Sequence, residues 1–176
     1  DACDVLKSLV RQRHAQFSDT CYQLEPDIKN APGGLRDIAA VRTLRILLPA
    51  SSVREEGAAA LDDAEERLLR IRSVLHLESG RDNNVLTHAF QENVAETLGY
   101  VGADAQQRVE TLMSDYFRGA RTVVRALARS IRASEPALDA QPTRPLNKFL
   151  ELTAEGIRFT DPARAAGMPA IWVEAF

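Results

Sequence analysis

Hydrophobic residues recur at intervals of three and four along most of the chain, with polar residues between them. This spacing places apolar side chains on one face of a helix, which can then pack against another element. The pattern predicts helices over about residues 4–17, 35–48, 62–79, 88–98 and 104–133. The third of these helices is expected to begin at Asp62, with Glu65 three residues later as in a capping box.

Two short segments lack the helical spacing. Residues 21–29 are expected to form an extended arm or a short edge strand, because Pro26 has no amide donor and disfavours helix at Glu25. Near residues 149–159, two apolar runs flank a Glu155-Gly156 turn, as in a small hairpin. The predicted fold class is all-α, a helical bundle with a short extended arm near residues 21–29 and a small hairpin near 149–159.

The domain organisation is predicted from a change in composition. Prolines among small polar residues at 134–145 indicate a linker. We therefore expect a helical domain over residues 1–133 and the truncated start of a following segment over residues 146–176. Helix-forming or apolar residues stand at both ends of the sequence, so we expect a piece of a longer protein.

Composition narrows the class of protein. The 176 residues are 45% hydrophobic and 27% charged, which is typical of a soluble globular domain. The net charge of −3 argues against nucleic-acid or membrane partners. No apolar run approaches the roughly 18 residues of a membrane span, and we expect a cytoplasmic location. Cys3 and Cys21 lack the C-x-x-C spacing, so we expect ordinary thiols and no metal site.

The turn between the first two helices is the first candidate for chemistry. If residues 25–29 are extended, Glu25, Asp27 and Lys29 share one face, because side chains alternate along a strand. Gly33 and Gly34 would then open a helix whose free amides and positive dipole end favour an anion.

Two charged residues follow these glycines, and they leave two interpretations open. Arg36 adds a forked donor, so the turn would suit a phosphate, a bound Mg²⁺ or an acidic partner. Alternatively, the turn is a charged surface feature in which Asp37 pairs locally with Arg36 or Arg42.

A row of arginines on the last helix is the second candidate. Steps of three and four place these residues on one helical face, beside or opposite the apolar stripe. Such a face is either solvated or a dock for an acidic surface or for nucleotide phosphates. Aromatic residues do not interleave with it, which disfavours nucleic acid. The row comprises Arg118, Arg121, Arg125, Arg129 and Arg132.

The sequence contains no complete active site of a familiar kind. It has no P-loop, no dinucleotide-binding glycine motif, no H-E-x-x-H and no His-Asp pair. The one D-x-[DE] pair, Asp63 and Glu65, lies about 30 residues beyond the glycines. We therefore expect this segment alone to be inactive and to bind no cofactor.

Residues 22–38, Tyr-Gln-Leu-Glu-Pro-Asp-Ile-Lys-Asn-Ala-Pro-Gly-Gly-Leu-Arg-Asp-Ile, closely resemble the signature of the bifunctional uridylyltransferase/uridylyl-removing enzymes that modify the PII nitrogen-signal protein. The chain departs from that pattern at Val85, where the family has Arg, and at His88-Ala89, where it has Phe-Asp. Further matches in family order are Arg11-Gln-Arg13 with His14, Ile71-Arg72, Leu75-His76-Leu77, Gly80-Arg81, Gly99-Tyr100 and Asp115-Tyr116-Phe117-Arg118.

The resemblance implies that this chain is the helical domain that lies, in the family, between a nucleotidyltransferase domain and an HD domain. The parent enzyme would use UTP and Mg²⁺ to transfer UMP to a tyrosine of the PII protein in nitrogen regulation. This segment would scaffold and complete the transferase site. The alternative is a non-catalytic regulatory or protein-binding helical module of a diverged nucleotidyltransferase relative. The candidate nucleotide-binding residues are Asp27, Lys29, Gly33, Gly34, Arg36 and Asp37.

Overall fold

A computed structural model of the chain describes residues 2–48, 57–135, 144–147, 149–153 and 156–161. The chain forms two compact units, Asp1–Ser134 and Glu135–Phe176. The predicted all-α class is confirmed, because the first unit is built from helices and the described residues of the second unit form short strands. The helices of the first unit are α1 (Ala2–Ala15), α2 (Leu35–Leu47), α3 (Ala58–Ser79), α4 (His88–Thr97) and α5 (Ala105–Ala133).

The long helix α5 is the centre of the first unit and lies against α2, α3 and α4. Leu112, Tyr116, Ala120, Val123 and Leu127 follow one another at steps of three and four, and all are buried. Full burial of a large apolar side chain stabilises a fold by about 1.5–3 kcal/mol. The apolar stripe on α5 therefore holds the three neighbouring helices together.

The start of α3 differs from the prediction. The helix begins at Ala58 after Gly57, which has a φ of +85°. Asp62 and Glu65 therefore lie inside the helix and do not form a capping box, and both carboxylates bind Arg42 on α2. Arg42 Nη2 lies 3.2 Å from Asp62 Oδ1, and Arg42 Nη1 donates to Glu65 Oε1 at 2.9 Å. The two carboxylates that the local spacing predicts at the start of the helix thus bind the guanidinium group of Arg42 on the neighbouring helix.

The extended arm that precedes α2 is present, but it makes only an isolated bridge between Asp27 and Val85. The amide of Ile28 donates to Asn84 O at 2.9 Å, so the arm is anchored to the loop between α3 and α4. Lys29 already lies in the following turn. Glu25, Asp27 and Lys29 therefore do not share one face of a strand, contrary to the prediction.

The second unit contains an antiparallel sheet in the order β1-β2-β3. Its strands are β1 (Arg144–Pro145), β2 (Leu150–Thr153) and β3 (Gly156–Phe159). The hairpin predicted near residues 149–159 is confirmed by the pairing of β2 with β3. Of the predicted linker, residues 136–143 lie outside the described residues, and the domain boundaries stay a prediction.

Cys3 and Cys21 are both buried in the first unit and are not joined by a disulfide. Burial raises the pKa of the Cys21 thiol, so this group stays protonated at neutral pH. Within the part of the chain that the structure describes, no helix has the length and apolar character needed to cross a membrane.

Candidate functional site

The segment from Asp27 to Asp37, called here the glycine turn, begins with a local hydrogen-bonded cap. Asp27 Oδ1 accepts from the amides of Lys29 and Asn30 at 2.9 and 2.8 Å. Asp27 Oδ2 accepts from the Asn30 side-chain amide at 2.8 Å. Aspartate favours turns for this reason, because its carboxylate satisfies the amides that follow it. The Asp27 carboxylate is therefore engaged within the turn.

The amides at the start of α2 are also engaged within the turn. They donate to turn carbonyls, so the free donors that the sequence predicts for an anion are occupied. An anion at this helix end would have to displace main-chain hydrogen bonds. The pairs are Gly34 N to Ala31 O at 2.9 Å, Leu35 N to Ile28 O at 3.0 Å, and Arg36 N to Lys29 O at 3.0 Å.

Asp37 lies at the centre of a polar anchor between α1 and α2. Its side chain is 0% exposed, and Arg13 Nη2 donates to Oδ1 at 2.6 Å. His14 Nε2 lies 2.9 and 3.0 Å from the two carboxylate oxygens. The amide of Gly33 donates to Oδ2 at 2.7 Å. A buried carboxylate is tolerated when its oxygens are satisfied in this way.

Burial raises the pKa of the Asp37 carboxyl, but the hydrogen bonds from His14, Gly33 and Arg13 outweigh it and hold the pKa below its ordinary value. The partners expected from the sequence were Arg36 or Arg42. The true partners stand on α1, 23 and 24 residues earlier in the chain. Neither local spacing nor charge pattern indicates that pairing.

The two glycines are required by close packing. Gly33 has a φ of +82°, which favours glycine, and a Cβ there would lie 2.6 Å from Ala120 O on α5. A Cβ on Gly34 would lie 2.8 Å from Ile28 O. The glycine turn therefore rests directly on the backbone of α5, which fixes its position relative to the core.

Two cations of the glycine turn remain available. Within the described residues, neither Lys29 nor Arg36 forms an ion pair. The Lys29 charge is near enough to Asp82 to help lower the pKa of that carboxyl, after the larger effect of a hydrogen bond from Asn84. Of the six candidate residues, Lys29 and Arg36 are therefore the ones whose charged groups are free for a ligand.

Arg36 lies on a groove of about 280 Å³ between α1 and α2. The groove is lined mainly by aliphatic side chains, including Leu9 and Ala39. Beside it, Val5 is 60% exposed and Leu9 is 57% exposed, and Ile46 near the end of α2 is 83% exposed. Adjacent exposed apolar residues of this kind mark surfaces that contact another protein element.

The arginine row occupies the exposed face of α5, and all five of its side chains are exposed. Arg118 pairs with Asp115 at 2.9 Å. In the described part of the chain, the other four form no ion pair. The row lies opposite the buried stripe, as its spacing of three and four predicts.

Among the residues placed by the structure, no group of three His, Cys, Asp or Glu side chains could hold a metal ion. Asp63 and Glu65, the one D-x-[DE] pair of the sequence, stand on α3, where Glu65 binds Arg42. Within the described residues, the glycine turn therefore carries no metal-ligand set.

Comparison with known proteins identifies what the chain is similar to. The family model described as GlnD PII-uridylyltransferase matches residues 6–131. The chain is 45% identical over 123 residues to the bifunctional uridylyltransferase/uridylyl-removing enzyme of Vibrio parahaemolyticus. The matched region covers 64% of this chain and 14% of that enzyme. No solved structure matches the chain.

Two further relatives carry the same description. The Photobacterium profundum enzyme is 34% identical over 180 residues, covering 94% of this chain and 20% of the enzyme. The Pseudomonas fluorescens enzyme is 31% identical over 156 residues, covering 81% of this chain and 17% of the enzyme. The chain therefore spans a fifth or less of the length of these relatives.

Proposed function

The chain belongs to the PII-uridylyltransferase family, and we propose from this premise that it supports and completes the nucleotidyltransferase site of a larger enzyme. That enzyme transfers UMP from UTP to a tyrosine of the PII signal protein and uses Mg²⁺. Its partners are the PII protein and the adjoining nucleotidyltransferase and HD domains, in the cytoplasm. The segment alone is inactive and holds no cofactor.

The observation that carries this proposal is that the residues of the glycine turn have two different roles. Internal hydrogen bonds engage Asp27 and Asp37, and close packing requires the two glycines. Lys29 and Arg36 stand on a turn whose backbone is fixed by that packing, and among the described residues their charged ends form no ion pair. Ammonium and guanidinium groups suit phosphate oxygens, and the fixed backbone sets where both side chains begin. We assign Lys29 and Arg36 to the triphosphate of UTP.

The groove between α1 and α2 is a suitable surface for the transferase domain to pack against. Its aliphatic lining and the exposed Val5 and Leu9 resemble an uncovered domain interface. Arg36 lies on the same groove. Packing of the transferase domain over this groove would therefore bring Arg36 to the edge of the transferase site.

The test uses the full-length enzyme and measures initial rates against UTP concentration. A charge-assisted hydrogen bond is worth about 1.5–3 kcal/mol, and about 1.4 kcal/mol is tenfold in affinity. Arg36→Ala and Lys29→Ala should each raise the KM for UTP at least about tenfold. Arg11→Ala, which removes an exposed arginine from α1, is the matched control and should leave KM unchanged. Unaltered KM and kcat in both test variants would refute the assignment.

The arginine row favours a second candidate function, docking of an acidic partner protein. Arg121, Arg125, Arg129 and Arg132 span about 16 Å of helix at a rise of 1.5 Å per residue, and they are unpaired within the described residues. In the full-length enzyme, Arg125→Glu with Arg129→Glu should weaken binding of the PII protein. Unchanged binding would remove this candidate and leave the row as a solvated face.

A further inference from the structure

A second cleft, of about 360 Å³, lies between the first half of α3, the loop that joins α4 to α5, and α5. It is separate from the glycine turn and is not used by the proposed function. Charged side chains and one phenol line most of it. The polar lining residues are Asp63, Glu66, Arg67, Arg70, Tyr100 and Asp115.

The charges on α3 do not neutralise one another. Asp63 precedes Arg67 by four residues, and Glu66 precedes Arg70 by four. An acid four residues before a base is the favourable order for an ion pair on a helix. Neither ion pair forms, and both guanidinium groups have no carboxylate partner among the described residues. Their charge is therefore available to a ligand in the cleft.

Arg67 instead reaches across to α5. Its Nη1 lies 3.5 Å from the carbonyl of Asp115, which is the outer limit of a hydrogen bond. The same nitrogen would lie 3.5 Å from a Cβ at Gly119, a buried glycine in the middle of α5. A side chain larger than methyl at position 119 would occupy the space of the guanidinium. The close helix approach thus holds Arg67 half-buried at the floor of the cleft.

Tyr100 supplies a neutral donor beside the two arginines. Burial raises the pKa of its phenol, and the charge of Asp115 and a hydrogen bond to that carboxylate raise it further, although Arg67 and Arg70 oppose the shift. The phenol therefore stays protonated at neutral pH, and a ligand carboxylate would replace Asp115 as the acceptor of its proton. Asp115 itself is held by Arg118 at 2.9 Å, which leaves the α3 guanidinium groups unengaged by that carboxylate.

We propose that this cleft binds the carboxylate group of a small organic acid, with Arg67 and Arg70 as forked donors and the Tyr100 hydroxyl as a third. A planar guanidinium matches a planar carboxylate in two parallel hydrogen bonds. The lining carries three carboxylates against two guanidinium groups, so binding depends on direct hydrogen bonds to the guanidinium groups and not on the net charge of the cleft, and a singly charged ligand is repelled less than a dianionic phosphate. The volume lies in the range of small-molecule sites, about 300–1,000 Å³.

The test is protection of individual arginines from phenylglyoxal in the full-length protein, followed by peptide mass spectrometry. Acetate should slow modification of Arg67 and Arg70 saturably and at least about threefold, relative to chloride at equal ionic strength. Arg11, which is exposed on α1, serves as the internal reference and should react at an unchanged rate. Equal slowing at Arg11, or no slowing at Arg67, would overturn the proposal.

Two further arms separate a binding site from a structural cluster. Tyr100→Phe should weaken the protection of Arg67 by acetate while leaving the melting temperature nearly unchanged, and Tyr22→Phe at an exposed tyrosine should have no effect on protection. Inorganic phosphate should protect less than acetate at the same concentration. Stronger protection by phosphate, or protection that Tyr100→Phe leaves intact, would contradict the carboxylate site.

Discussion

The Nε2 atom of His14 lies 2.9 and 3.0 Å from the two carboxylate oxygens of Asp37, joining the end of α1 to the start of α2. Only Cys3 and Val10 of α1 are buried, so this helix has little apolar surface with which to hold its position. The polar anchor of Arg13, His14 and Asp37 therefore contributes much of the attachment of α1.

Removing the charge of Asp37 should destabilise the first unit strongly. Asp37→Asn leaves Arg13 half-buried without its carboxylate, and breaking a buried ion pair typically costs about 3–5 kcal/mol. We expect the free energy of unfolding in urea to fall by about 3 kcal/mol. Asp62→Asn is the control, because Asp62 and Arg42 form an exposed pair worth less than about 1 kcal/mol. Equal losses in the two variants would contradict the anchor.

Acid should weaken the fold through the same carboxyl. The pKa of Asp37 is lower in the folded chain than its unfolded value of about 3.9. The stabilisation is therefore present above pH 4 and is lost as the pH falls through the folded pKa. The free energy of unfolding should decline from about pH 4 downward, and the decline should be shallower in Asp37→Asn. Parallel pH profiles for the two proteins would refute this linkage.

Two glycine-to-alanine changes should act in opposite directions. Gly33→Ala meets a positive φ and the backbone of Ala120 at 2.6 Å, so we expect a loss of more than about 2 kcal/mol. Gly119→Ala places a methyl at ordinary contact distance in a helix interior, where alanine is favoured by about 0.5–1 kcal/mol. Urea unfolding of both variants measures these effects, and a stabilised Gly33→Ala would show that the turn can leave α5.

The hydroxyl of Tyr116 is buried and has no hydrogen-bond partner among the described residues. Burial raises the pKa of this phenol well above its ordinary value. An unsatisfied buried polar group costs about 1–3 kcal/mol, so Tyr116→Phe should raise the free energy of unfolding by about 1 kcal/mol. Calorimetric melting measures the gain. Tyr22→Phe, at an exposed ring that contacts Phe117, is the control and should be neutral. A clear loss in Tyr116→Phe would mean that the hydroxyl is engaged.

Only part of the candidate site can be predicted from the local sequence pattern. Sequence marks the glycine turn, because adjacent glycines after Pro32 are a local signal. It does not show that Asp27 hydrogen-bonds within the turn or that Asp37 also binds α1. The missed residues, Arg13 and His14, gave no signal beyond their place in the family pattern. The nucleotide role of Lys29 and Arg36 stays a prediction.

The sequence by itself determined the helices, the arm, the hairpin and the exposed arginine row, because apolar periodicity and the Gly and Pro positions act over a few residues. Only the tertiary structure decided that Asp37 takes its donors from α1 and that Arg42 takes the carboxylates of α3. It also decided that position 33 requires a glycine, because a Cβ there would collide with the backbone of α5. Such partners stand 20 or more residues apart and meet only when apolar faces pack. A buried charge then takes whichever donors that packing brings within reach.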